Sequence, residues 1–219
     1  MSDNVEYNKY LSGKTVCIAG PGSSILETKN NGLLIDSYDV VVRLNRSLPL
    51  REDTIEYTGQ KTNVLYNSLC QEMGNIINIP LIKSSVEWLV CPYPYKAPFS
   101  SDIDRFVRKN QERIRFAKMD LKYYNSIENK LNTRPNTGLL AILDVLSSDI
   151  KSLHITGISF MKGGYLKSYR KDTEKEIFNR MHAHGNHSQP PQIQLLKEML
   201  LGNPIVSLDD TLKKILLES

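Results

Sequence analysis

"YDVVVRLNRS", residues 38–47, sets three consecutive valines directly before two arginines and an asparagine. An unbroken β-branched run reads as a strand covered on both faces, as in a parallel sheet held between helical layers. Its polar end, Arg43, Asn45 and Arg46, has two readings. It is the surface end of a core strand, or it opens into a ligand crevice, because open α/β sheets bind ligands beyond the carboxyl ends of their strands.

The same pattern recurs along the chain. "KTVCIAG" (14–20), "TNVLYN" (62–67), "VEWLVCP" (86–92), "SLHITGI" (152–158) and a short "PIVSL" (204–208) all read as strands. Between them lie helix candidates. Over 102–116, Ile103, Phe106, Val107 and Ile114 fall near one face, with Ser100 or Ser101 as a cap. Over 137–148, "TGLLAILDVLSS" follows Pro135 and Asn136, and two more helices are expected over 192–201 and 209–218. Strands alternating with helices predict one α/β domain over 1–219, a mainly parallel, Rossmann-like sheet flanked by helices.

Composition narrows the function classes. At 219 residues, 40% hydrophobic and 24% charged, the chain is long enough to bury one substantial core. A formal charge of +4 permits an anionic ligand but lacks the basic footprint of a nucleic-acid binder. The N-terminus is polar and no apolar run reaches the ~20 residues of a spanning helix. Three separated cysteines, Cys17, Cys70 and Cys91, argue against a disulfide framework or zinc ribbon, and Cys17 and Cys91 read as buried thiols. A cytoplasmic protein is expected.

Four stretches carry chemistry. In "AGPGSSI", Gly20 and Gly22 let backbone approach a ligand, while N–H groups with Ser23 and Ser24 suit a phosphate; the alternative is a tight turn. In "RPNTGLL" (134–140), Asn136 or Thr137 caps a helix whose first amides favour an anion, with Arg134 beside them. "MHAHGNHSQPPQ" (181–192) holds His182, His184 and His187, which read as a zinc cluster, as solvated loop histidines, or as a loop with one general base; His154, inside a strand, reads as a core residue. "DID" (102–104) is read as a helix start rather than a metal site, and no metal is assigned. Finally, "RFVRKNQERIRFAK" (105–118) carries six cations and reads as a helix with a solvated basic face, or as a peripheral contact with anionic lipid or acidic glycan.

Taken in order, these pieces resemble glycosyltransferase family 29, the sialyltransferases. Residues 17–47 are similar to that family's large sialyl motif, "RPNTGLLAILDVLSSDIKSLHITGISF" (134–160) to its small motif, and "HSQPPQ" (187–192) to its very small motif. "GQKTNVLYN" (59–67) resembles the segment that follows the large motif. The resemblance covers about 14–67 and 134–198; the middle third is unmatched. It implies a GT-A-like fold, a CMP-linked donor such as CMP-sialic acid, a glycan or glycolipid acceptor, and inverting transfer with no cofactor and no essential metal. Carried over by position, Ser24 and Asn45 would contact the nucleotide, Asn136, Thr137 and Gly138 would line the cytidine and ribose pocket, Gly157 would sit close to the nucleotide, and His187 would deprotonate the acceptor. Gly20, Gly22 and Ser23 of the glycine turn join this donor site, Arg134 replaces the small motif's tyrosine and would still engage phosphate, and Tyr165 or Tyr169 would stand in for the third motif's histidine.

The chain departs from the family pattern at Pro21 and Ser24, where Asn is usual, and at Gln192, where Glu is expected. The secretory-pathway cysteine pair is replaced by Val16 and Ser147 or Ser148, which agrees with a reducing compartment. Two other readings remain: a transferase of CMP-Kdo or another CMP-linked acidic sugar, and a catalytically inactive nucleotide- or glycan-binding module. A hydrolase using metal on His182, His184 and His187 is a third.

Overall fold

The computed structural model describes residues 3–69, 75, 77–94, 99–160, 162–170, 173, 175–176, 179 and 187–218. Its centre is a seven-stranded sheet of β1 (Thr15–Ala19), β2 (Val40–Leu44), β3 (Val64–Tyr66), β4 (Trp88–Cys91), β5 (Arg115–Lys118), β6 (Ser152–Thr156) and β7 (Val206–Leu208). Every pairing is parallel, and the strand order is β5-β4-β3-β2-β1-β6-β7. The mainly parallel α/β sheet expected from the valine run is therefore present. The order reverses direction between β1 and β6, and a parallel sheet opens a crevice at such a switch, outside the strands' carboxyl ends.

The valine strand shows why both faces must be apolar. Val40, Val42 and Leu44 enter the main core, whereas Val41 packs with Cys17, Ala19, Ile25 and Ile35 in a second, smaller cluster. All five residues of β2 are buried. The smaller cluster faces the 3₁₀ turn Ser23–Glu27 and the short helix α2 (Asn31–Asp36). The main core contains α7 (Thr137–Leu146), whose Leu139, Leu140, Ala141 and Ile142 are almost fully buried.

The remaining helices are α1 (Asp3–Leu11), α3 (Ile55–Thr58), α4 (Ile79–Ile82), α5 (Phe99–Asn110), α6 (Leu121–Leu131), α8 (Gln189–Leu200) and α9 (Asp210–Leu217). Among the described residues no helix is long and apolar enough to cross a membrane. Cys17 and Cys91 are buried and free, and burial pushes both thiols up to about 12. His154 is the core histidine expected, its ring stacked on Tyr38 and its Nδ1 2.9 Å from Ser207 Oγ. Cys70, His182 and His184 lie outside the described residues.

Two expectations are corrected. The basic stretch 105–118 is not one helix, because α5 ends at Asn110 and Arg115–Lys118 forms the edge strand β5. Asn110 folds its side-chain amide back to Phe106 O (2.8 Å), and Arg113 and Ile114 donate to Asn110 O, closing a turn. At this sheet edge only Ala117 is fully buried, while Arg115 and Lys118 are exposed. Helix α5 also starts at Phe99, so neither Ser100 nor Ser101 is its cap. At the polar end of the valine run, β2 stops at Leu44 and Asn45 takes φ 48°, a left-handed conformation that Asn tolerates.

Candidate active site

Two corners of the chain meet at the carboxyl end of the sheet. The first follows β1. Gly20 N–H donates to Thr156 O (2.8 Å) and Gly22 N–H to Gly157 O (2.8 Å), which ties this turn to the end of β6. Space there is minimal: a side chain on Gly20 would strike the Gly157 carbonyl and Ile158, and one on Gly22 would lie 2.7 Å from Gly157 O. Gly157 adopts φ 67°, and its N–H donates to Asp209 Oδ2 (2.7 Å). The segment 163–166 then lies antiparallel across the turn. Ser23 N–H reaches Gly164 O (3.2 Å), Leu166 N–H reaches Pro21 O (2.9 Å), and Gly22 bridges Tyr165. Ser23 Oγ donates to Gly163 O at 2.5 Å. Tyr165 is thereby set against the glycine turn, 5.0 Å ring to ring from Tyr169.

Two hydroxyls at this corner, Ser24 Oγ and Ser159 Oγ, are buried and have no hydrogen-bond partner in the structure. Buried polar atoms are normally satisfied, so both suit a ligand's polar groups.

The second corner is the N-terminus of α7. Asn136, one of the two cap candidates, is its N-cap, and its side chain accepts from Leu139 N (2.8 Å). Thr137 Oγ1 lies 3.3 Å from Tyr93 Oη, which also donates to Pro135 O (3.1 Å). The Arg134 guanidinium sits over the Tyr93 ring, 4.9 Å from its centroid. Gly138 is roomier than the first-corner glycines: an added Cβ would meet Asn136 Oδ1 at 3.3 Å, then Leu44 and Ile158 at 3.6 and 3.7 Å. Ile158 therefore packs against both Gly20 and Gly138, and the two corners, far apart in sequence, border one crevice.

His187 stands at this second corner. Its Nδ1 is 2.8 Å from Arg134 O. A carbonyl only accepts, so Nδ1 carries the proton and Nε2 keeps its lone pair. Burial lowers the imidazole pKa below the ordinary 6.5, outweighing the hydrogen bonds to the Arg134 and Pro135 backbone, which act the other way. The neutral ring is the base form. Gln192 holds this arrangement from behind. It is fully buried, accepts from Asn136 N–H through Oε1 (2.9 Å), and donates from Nε2 to Ser188 O (2.8 Å). A glutamate there would face the Ser188 carbonyl without a proton to give, so the departure from the family pattern has a local cause.

Asn45 connects the corners' rims. Its N–H donates to Tyr66 O (2.6 Å), its Oδ1 accepts from Ser68 N (3.2 Å), and its Nδ2 reaches Tyr169 Oη (3.4 Å). Arg46 lies 5.8 Å from the Tyr169 ring. Arg43 points away from this rim, toward the end of α3. Residues missed in the sequence reading are Gln192 as a brace, Asp209, Tyr93, and Asn67, whose buried amide donates to Asn45 O (3.1 Å) and accepts from Leu69 N (2.7 Å). Paired amides at consecutive strand ends, the half-buried Asn45 and the buried Asn67, were the available signal. Among the described residues no cluster of metal-binding side chains is found.

The fold is similar to that of solved sialyltransferases. The structure resembles the sialyltransferase CstII from Campylobacter jejuni, solved with cytidine-5'-monophosphate (TM-score 0.59, 20% identity, covering 90% of this chain and 80% of that one). It also resembles an α-2,3-sialyltransferase from the same organism (0.54, 17%, 90% and 76%) and a mammalian sialyltransferase (0.53, 14%, 83% and 75%). No protein-family model matches the sequence, and no curated protein matches it. The shared fold, rather than family 29 in particular, is what these likenesses establish.

Proposed function

We propose that the protein is an inverting glycosyltransferase that moves a sialic-acid-type sugar from a CMP-linked donor to a glycan hydroxyl, without an essential metal. The observation that carries this reading is the hydrogen bond between His187 Nδ1 and Arg134 O (2.8 Å), which favours the tautomer whose Nε2 can act as a base. The fold likeness to CstII, solved with cytidine-5'-monophosphate, supports the donor class. A CstII complex with a trisaccharide acceptor and CMP supports a glycan as acceptor.

In this mechanism Nε2 of His187 takes the proton of the acceptor hydroxyl as the oxygen attacks the anomeric carbon. The bond from that carbon to phosphate breaks on the opposite side, and negative charge gathers on the departing CMP. The first amides of α7 at Thr137 and Gly138 lie at the positive end of the helix dipole and stabilise that charge. The orphan hydroxyls of Ser24 and Ser159 bind the nucleotide at the glycine corner. Tyr165, Arg134 and Asn45 complete the donor's surroundings.

Calorimetric titration with CMP, UMP, GMP and AMP, each with and without EDTA, tests the donor class. CMP is expected to bind tightest, with affinity unchanged by EDTA; equal affinities, or loss of binding on chelation, would overturn the reading. Comparing hydrolysis of CMP-sialic acid with that of CMP-Kdo identifies the sugar.

A further inference from the structure

Arg43, one residue before the end of β2, is only 2% exposed. Its Nη2 donates to two carbonyls near the end of α3, Thr58 O (2.6 Å) and Lys61 O (3.2 Å), and its Nε has no hydrogen-bond partner. A guanidinium stays charged in proteins, and a buried charge requires a counter-charge or dense hydrogen bonding. Burial pulls its pKa down only to about 10, so the cation persists at neutral pH. The two nearby groups that favour the cation do not pair with it. Cys17 is held as a neutral thiol. Asp36 gives both carboxylate oxygens to backbone N–H groups, Oδ1 accepting from Gln60 and Lys61 and Oδ2 from Gln60.

Beside Arg43 lies a cavity of about 20 Å³, bounded among others by Gly20, Ser47, Arg51, Thr58 and Tyr169. Its lining contains two guanidiniums and several hydroxyls but no carboxylate. Arg51 is already neutralised by a bidentate pair with Asp53 (2.7 and 2.8 Å), whereas Arg43 is not. Such a volume admits one body of about water size.

The geometry points to a monatomic-anion site at Arg43, filled by a halide such as chloride, on the opposite side of β2 from the main core and behind the glycine corner, with Gly20 and Tyr169 in its wall. Bound there, the ion completes the charge balance of β2 and α3 and stabilises the folded chain by mass action.

Thermal unfolding of the whole protein in sodium chloride, against sodium gluconate at matched ionic strength, tests it. For the wild type, chloride is expected to raise Tm saturably, by about 3–5 °C at tenfold excess over Kd. Ser47→Asp, which supplies a carboxylate to the same cavity, is expected to remove the chloride-specific rise while keeping a Tm at least equal to that of wild type in gluconate. Arg43→Met is expected to abolish chloride line-broadening in ³⁵Cl NMR if it folds. Equal wild-type Tm values in the two salts, or a chloride-specific rise that survives unchanged in Ser47→Asp, would overturn the proposal and leave water as the occupant.

Discussion

The two corners that border the crevice are built by different means. The β1 corner is almost all main chain: Gly20, Gly22 and Gly157 lie against one another, and the 163–166 segment is held across them largely by amide-to-carbonyl bonds. The α7 corner is built from side chains, with Asn136 capping the helix, Gln192 bracing it, and His187 docked on Arg134 O. Main-chain packing sets a rigid surface with no tolerance for added atoms. Side-chain bracing sets the position of one titratable ring, and can be loosened without destroying the fold. On the proposed function both corners hold the nucleotide, and the second adds the titratable ring.

Substitutions can break or sharpen that contrast. The largest effect is expected at His187: His187→Ala should lower turnover by about 10²–10⁴ while CMP still binds. The wild-type pH profile should agree. Because burial depresses the imidazole pKa, the base form persists below pH 6.5, and kcat/KM should fall only as pH drops further. An acid limb centred at or above 6.5 would remove the ring from this role.

Gly20→Ala comes next. A Cβ forced against Gly157 and Ile158 should destabilise by about 2–3 kcal/mol, read as a fall in Tm of roughly 5–10 °C. Gln192→Ala leaves the buried Asn136 N–H and Ser188 O without their partner, a cost of about 1–3 kcal/mol in denaturant melts, and should lower turnover by releasing the His187 loop. The smallest effect is expected from Gly138→Ala, within about 0.5 kcal/mol of wild type, since the nearest atom belongs to a side chain and only Asn136 Oδ1 must shift slightly. If Gly138→Ala proved as damaging as Gly20→Ala, the two corners would not differ as described.

What was legible in the sequence follows the same division. Val40–Val42 declared a buried parallel strand because two-sided burial leaves no polar alternation. Asn136 was readable as a cap because capping is a local contest between side chain and helix amides. Arg115–Lys118 was not readable as a strand: at a sheet edge only Ala117 is fully buried, and the surrounding cations continue the pattern of α5. The direction of Arg43 was hidden for another reason. A lone arginine at a strand end usually reaches water, and only the approach of α3 encloses this one. Tyr165 and Gln192 depend on contacts across long stretches of chain, and the sequence offered them only through family resemblance.

The position of β1 has a consequence for how the protein is made. Its partners come from opposite parts of the chain: Cys17 pairs with Val41 on one side and with His154 on the other. The first pairing closes a short loop, and the second must wait until most of the polypeptide has emerged, at a greater loop-closure entropy. Synthesis therefore leaves one flank of β1 as a bare hydrogen-bonding edge until β6 arrives. Folding intermediates captured during translation should carry the 38–44 strand already docked, with nucleotide affinity appearing only at the last stage of assembly.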